Sequence, residues 1–198
     1  MGVTQAKLPV LFVTAGDKLT VPHYTRTAVG LHWLVAALIL TALFMGWTMT
    51  EMEVSPTRLK VYNWHKWVGV TVLALAIFRL VWRLTHKAPP LPASTPGWQR
   101  GAAHAGHALL YLLMIVMPLT GWIYSNLSGY PVVYLGKIPL PDLAERNREL
   151  AATWVQVHAT LGIILAVVVG GHVLAALYHQ FIARDGLLRR MLTWRAPQ

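Results

Sequence analysis

An unbroken apolar stretch constrains this chain more than any other feature. It runs from Trp154 to Ala183, WVQVHATLGIILAVVVGGHVLAALYHQFIA, and contains no Asp, Glu, Lys or Arg. A helix crosses a bilayer with roughly 20 apolar residues, and this stretch is longer than that. Inside it lie His158 and His172. Their spacing is close to four helical turns, so both imidazoles share one face, about 21 Å apart along the axis. An ionisable side chain inside a membrane span is costly and marks function. Two on one face, one toward each end, point to two cofactors stacked across a membrane.

The remaining chain supports a membrane setting. Of its 198 residues, 56% are hydrophobic and 12% charged, against about 25% charged in a typical soluble domain. The apolar residues come in long blocks, which predict spans at roughly 27–50, 61–84, 101–126 and 153–183. The expected fold class is all-α, an integral membrane four-helix bundle with its cofactors in the core. The chain has no cysteine. That excludes thiolate zinc sites, all-cysteine iron–sulfur clusters and haem attached through Cys-x-x-Cys-His. The formal charge is +10. In a soluble protein it would suggest nucleic acid. Here the basic residues fall between the apolar blocks, so they read as orientation signals, with the lipid bilayer and no nucleic acid as partner.

Residues 1–26 form an N-terminal extension holding Lys7, Asp17, Lys18 and Arg26; its apolar run Leu8–Val13 is too short to span. Span one opens with His32 and Trp33. Span two carries His65 near its start and Arg79 and Arg83 near its end. The linker HKAPPLPASTPGWQR is too rich in proline for a helix. Span three has His104 and His107 in its first turns and Pro118 further on, where a kink is expected. The connection 127–153 contains DLAERNREL, which reads as a short surface helix. Residues 185–198 form a tail. Basic residues crowd the second-to-third connection (Lys87, Arg100) and the tail (Arg184, Arg189, Arg190, Arg195); the other two connections are nearly balanced in charge. Both termini are therefore expected in the cytoplasm of a multi-pass bacterial inner-membrane protein.

Counting depth along four antiparallel spans pairs the histidines. His32 and His172 lie toward the inner end, and His65 and His158 toward the outer end. Two facing imidazoles suit a six-coordinate haem iron. The residues four positions on, Ala36, Gly69, Gly162 and Ala176, are small enough to admit a porphyrin edge, although small residues also serve helix packing. A lone membrane histidine more often hydrogen-bonds a neighbour than binds a metal. Zinc or copper held by histidine is a further reading. His104, His107 and His179 are open between proton handling, propionate contact and interface roles. His23 and His86 lie in polar flanks. Arg79 and Arg83, one turn apart, can reach head groups or hold cofactor carboxylates.

Several motifs carry a resemblance. They are Gly30-Leu31-His32-Trp33-Leu34, Trp64-His65-Lys66-x-x-Gly69 and Phe78-Arg79-Leu80-x-x-Arg83. Next come His104-x-x-His107-x-x-x-Tyr111 and Gly121, then His158-x-Thr160-Leu161-Gly162 and His172-x-x-Ala175-Ala176-Leu177-x-His179. Together, over roughly residues 24–195, the chain resembles the prokaryotic cytochrome b561 family of four-helix dihaem proteins. The resemblance implies two haem b, with His32, His65, His158 and His172 as axial ligands. The short stand-alone form implies oxidation of periplasmic superoxide to oxygen and reduction of ubiquinone. Arg58, Lys60, Lys66, Lys137, Arg146 and Arg148 on the outer connections could steer the anion, against acids that nearly cancel them. Two alternatives stay open: a cytochrome subunit of a hydrogenase or dehydrogenase fed by a protein electron donor, and a haem-free metal or proton transporter.

Overall fold

Each apolar block forms a helix, and local capping shows where each begins. A computed structural model describes residues 24–92 and 95–192. The Leu8–Val13 run, His23 and Arg195 lie outside these residues. Helix α1 is Arg26–Glu51, capped by Thr25, whose Oγ1 accepts from Ala28 N at 3.2 Å. Helix α2 is Pro56–Thr85, with Ser55 as N-cap and Pro56 in the first turn, where its missing N–H costs nothing. Helix α3 is Gly97–Leu127 and continues through Pro118. Helix α4 is Arg148–Tyr178; Asn147 Oδ1 caps it by accepting from Glu149 N and Leu150 N. The helices run past the uncharged blocks because capping and charged first turns extend them into the head-group region. A π-helical turn, His179–Ala183, follows α4 and ends at Arg184 with φ 52°. A short helix α5, Arg189–Leu192, completes the described chain.

Four of these helices are long and apolar enough to cross a membrane. Only 6% of the most apolar window of α4 and 22% of that of α3 is buried. Such surface in water would be strongly unfavourable, so lipid must cover it. The protein is an all-α multi-pass membrane bundle. Helix α1 packs along α2, α2 against α3, and α3 along α4. The core is a belt of Val35, Ile39, Val72, Ala76, Leu113, Met114 and Leu165. Leu165 lies midway between His158 and His172 in sequence, so this belt separates two polar levels.

The α3–α4 connection is ordered by its own polar contacts. The expected surface helix at DLAERNREL does not form: 142–147 are non-helical and Arg148 opens α4. Asn126 competes for that backbone. It is 4% exposed, its Nδ2 donates to Asp142 Oδ1 at 2.6 Å, and its Oδ1 accepts from Leu143 N at 3.0 Å. The same connection carries a small hairpin, strand β1 (Val133–Tyr134) antiparallel to strand β2 (Ile138–Pro139). Its turn places Leu135 at φ 53° and Gly136 at φ 70°. We call this the hairpin end of the bundle and the opposite one the Arg79 end. At the Arg79 end, Trp33 Nε1 donates to Met191 O and Arg190 Nη1 to Pro90 O, both at 2.8 Å.

Candidate functional site

Two imidazole pairs occupy the bundle, one at each level. At the hairpin end, His65 of α2 faces His158 of α4, with ring centroids 6.1 Å apart and planes at 89°. At the Arg79 end, His32 of α1 faces His172 of α4 at 6.2 Å and 64°. These are the pairs that depth counting brings together. Helix α4 makes little direct backbone contact with α1 or α2. Its histidines nevertheless reach theirs, which is what a flat group held between helices requires.

The spacing was tested against a metal between the rings. An imidazole nitrogen lies about 2 Å from a first-row metal that it ligates, and the ring adds about 1 Å to its centroid, so two imidazoles across one metal have centroids about 6 Å apart. Both pairs meet that condition. Among the described residues, no group of three or more His, Asp or Glu converges as a bare ion would require. The donor set fits haem iron, which takes four of its ligands from the porphyrin and needs only a pair from the protein.

The hairpin-end pair is shaped by α3 and α1. His158 Nδ1 lies 3.2 Å from Met117 O and 3.1 Å from Thr120 Oγ1, while Thr120 Oγ1 itself donates to Met117 O at 2.8 Å. The hydroxyl proton is thereby committed to the carbonyl, so His158 Nδ1–H donates to both oxygens. The Nε2 lone pair is left for a metal, an arrangement typical of metal-binding histidine. Gly121 completes the cradle: a Cβ there would lie 2.7 Å from His158 Cε1. On the other side, a Cβ at Gly46 would lie 3.3 Å from His65 Cε1. Among the described residues no group meets hydrogen-bond geometry at buried His65 Nδ1, a costly state for a polar atom that reaches no other group.

The Arg79 end is more basic. Arg79 Nη2 lies 3.0 Å from His32 Nδ1. Arginine only donates, so His32 Nδ1 carries the lone pair here; for Nε2 to ligate a metal, the ring proton would have to move to Nδ1 and Arg79 to turn away. Arg79 and Arg83 both lie over the Tyr111 ring, at 5.6 and 5.8 Å. Among the described residues neither has a carboxylate partner. His107 stands beside His172 with centroids 5.6 Å apart. His104 is exposed. His179 is turned elsewhere, onto Asp185 Oδ2. Sequence reasoning missed Thr120, the Met117 carbonyl and Gly46, and it left Gly121 and Tyr111 in motifs without roles. Only Gly121 carried a signal, as a glycine three residues beyond a mid-helix proline.

Among the basic residues expected on the outer connections, Arg58 lies over the Tyr62 ring at 5.5 Å and Lys66 Nζ donates to Tyr130 O at 3.3 Å. Arg146 passes over Gly129, where a Cβ would lie 3.1 Å from its side chain.

The chain is similar to known proteins. The chain matches the family described as prokaryotic cytochrome b561 over residues 23–194. It is 31% identical over 173 residues to a probable superoxide oxidase, CybB, of Yersinia pestis, covering 85% of this chain and 95% of that protein. It is 30% identical over 175 residues to cytochrome b561 homolog 2 of Escherichia coli, covering 87% and 93%. Similarity to cytochrome b562 of Cereibacter sphaeroides is 30% over 177 residues, covering 86% and 96%.

Proposed function

The chain belongs to the prokaryotic cytochrome b561 family, and from that premise we propose that it is a dihaem b-type cytochrome that oxidises superoxide and reduces ubiquinone. The family makes it a membrane electron carrier with b-type haem. The finer reading rests chiefly on one observation: two imidazole pairs, each with centroids about 6 Å apart as two ligands on one metal require, stacked at two levels.

Haem, when bound, supplies reversible storage of single electrons near a potential set by its ligands. The chain does the rest. His65 and His158 hold the site at the hairpin end, and His32 and His172 the other. Met117 O and Thr120 orient His158. Arg79 and Arg83, without a carboxylate partner among the described residues, would hold the propionates. The apolar belt around Leu165 keeps water from the space between the levels. Basic residues at the Arg79 end (Lys87, Arg100, Arg184, Arg190) support a cytoplasmic side for that end in the bacterial inner membrane, and a periplasmic side for the hairpin, by the positive-inside rule. The books balance: two superoxide anions yield two O2 and two electrons, and a quinone takes those electrons with two protons.

Arg58 and Lys66 are committed to Tyr62 and Tyr130. Lys60, Lys137 and Arg148 therefore remain the better anion-steering residues.

A dithionite-reduced minus air-oxidised spectrum with a pyridine-haem count tests the core. Two low-spin b haems per chain are expected, falling to one in His158→Ala. None, or one in the parent, removes the dihaem reading and favours the transporter. Two haems that superoxide does not reduce, with reduction restored by a co-purifying subunit, would make the chain a subunit of a larger oxidoreductase.

A further inference from the structure

The α3–α4 hairpin packs against α2. Trp67 Nε1 donates to Val133 O at 2.7 Å. Tyr134 Oη meets Thr71 Oγ1 at 3.0 Å. Lys66 Nζ donates to Tyr130 O, and Gly136 packs beside the Trp67 ring, 3.8 Å from a Cβ built at that glycine. Along α2 these positions are deeper than they first look. His65 belongs to one imidazole pair, and Arg79 touches His32 of the other. Trp67 and Thr71 lie between them in sequence. Thr71 is at the middle of the 30-residue helix. The Tyr134 hydroxyl therefore meets α2 between the two imidazole levels, inside the bundle's length.

The hairpin is also apolar where it is bare. Leu135 and Ile138 are each 54% exposed and Val133 is 39% exposed. Leu135 takes φ 53° at the first central position of the turn. Asn, Asp or Gly fill that position with little strain, whereas a leucine there is strained. In water nothing offsets that strain. Against hydrocarbon, burial of the leucine side chain does.

We propose that the hairpin is a membrane-embedded element, its Leu135 and Ile138 side chains buried in the acyl chains of the leaflet on the hairpin side. Lipid is the occupant favoured because the hairpin is seated on α2, itself long and apolar enough to span a membrane. Part of the backbone is satisfied internally: Tyr130 N, Gly136 N, Lys137 N and Leu140 N all donate within the chain, and the Val133 carbonyl accepts from an indole as well as from the turn. The outward carbonyls of the tip need head groups or water, so it is the Leu135 and Ile138 side chains, not the backbone, that enter the hydrocarbon. Lys137, beside the tip, has a flexible stem long enough to carry its charge to the head groups.

The chain has no cysteine, so a single nitroxide can be placed without removing native thiols. Leu135→Cys, spin-labelled in the haem-loaded chain in liposomes, is compared with Glu145→Cys in the same loop. Relaxation at 135 is expected to respond to dissolved oxygen, which concentrates in lipid, and not to a water-soluble nickel chelate; position 145 should show the reverse. Nickel access at 135 equal to that at 145 would put the hairpin in water and end the proposal. Protection from both would mean that protein, such as a second copy, covers it, and would overturn it equally. Ile138→Cys serves if the first variant loses its haem spectrum.

Discussion

At the scale of single residues, the histidine pairs depend on what is missing beside them. Gly121 and Gly46 each face an imidazole, but unequally. An alanine Cβ at 121 would overlap His158 Cε1 at 2.7 Å, while one at 46 would meet His65 at 3.3 Å. Alanine adds up to about 1 kcal/mol of helix propensity at either place. Overpacking costs about 1–3 kcal/mol, and His158 cannot swing aside without losing Met117 O and Thr120. We therefore expect Gly121→Ala to lower the haem count from two to one while the spectrum of the His32–His172 site persists. Gly46→Ala should keep both haems. Equal haem loss in the two variants would show that the α3 cradle has no special part. The four histidines were legible from spacing and depth. Their supports were not, because a backbone carbonyl has no sequence signature and a glycine's neighbour lies on another helix.

At the scale of elements, α4 and its preceding loop set the geometry. Helix α4 carries one histidine of each pair, yet it packs closely on α3 alone. Its start is fixed by Asn147 and, behind that, by buried Asn126. Replacing Asn126 with alanine leaves Leu143 N and Asp142 without their partner. A buried hydrogen-bond deletion of this kind costs about 1–3 kcal/mol. Asn126→Ala should lower the melting temperature in detergent and expose the 128–147 loop to protease while α1 and α2 stay intact. An unchanged melt would place the loop's order elsewhere. The stretch DLAERNREL shows why this was not legible. Its charges and helix formers suit a helix, but a side chain sixteen positions earlier takes its backbone first.

At the scale of the whole molecule, α4 meets α1 and α2 through side chains: Leu165 in the shared core and one imidazole of each pair. A ligand that binds only the folded state stabilises it by mass action, about 2.7 kcal/mol at a hundredfold excess over Kd. Haem-free chain should therefore melt well below the loaded protein, with the loss concentrated in α4, as hydrogen exchange would show. Equal stability with and without haem would mean that these side-chain contacts hold α4 by themselves.

The sequence alone determined the membrane setting, the number of spans and the order of the histidines along them, because these follow from uncharged length and from a fixed rise per residue. Which side chains touch is a different matter. That Arg79 rests on His32, that His107 stands by His172, and that a loop hairpin leans on the middle of α2 are set by how helices rotate and tilt against one another. Those angles come from packing across the whole bundle, and no local pattern encodes them.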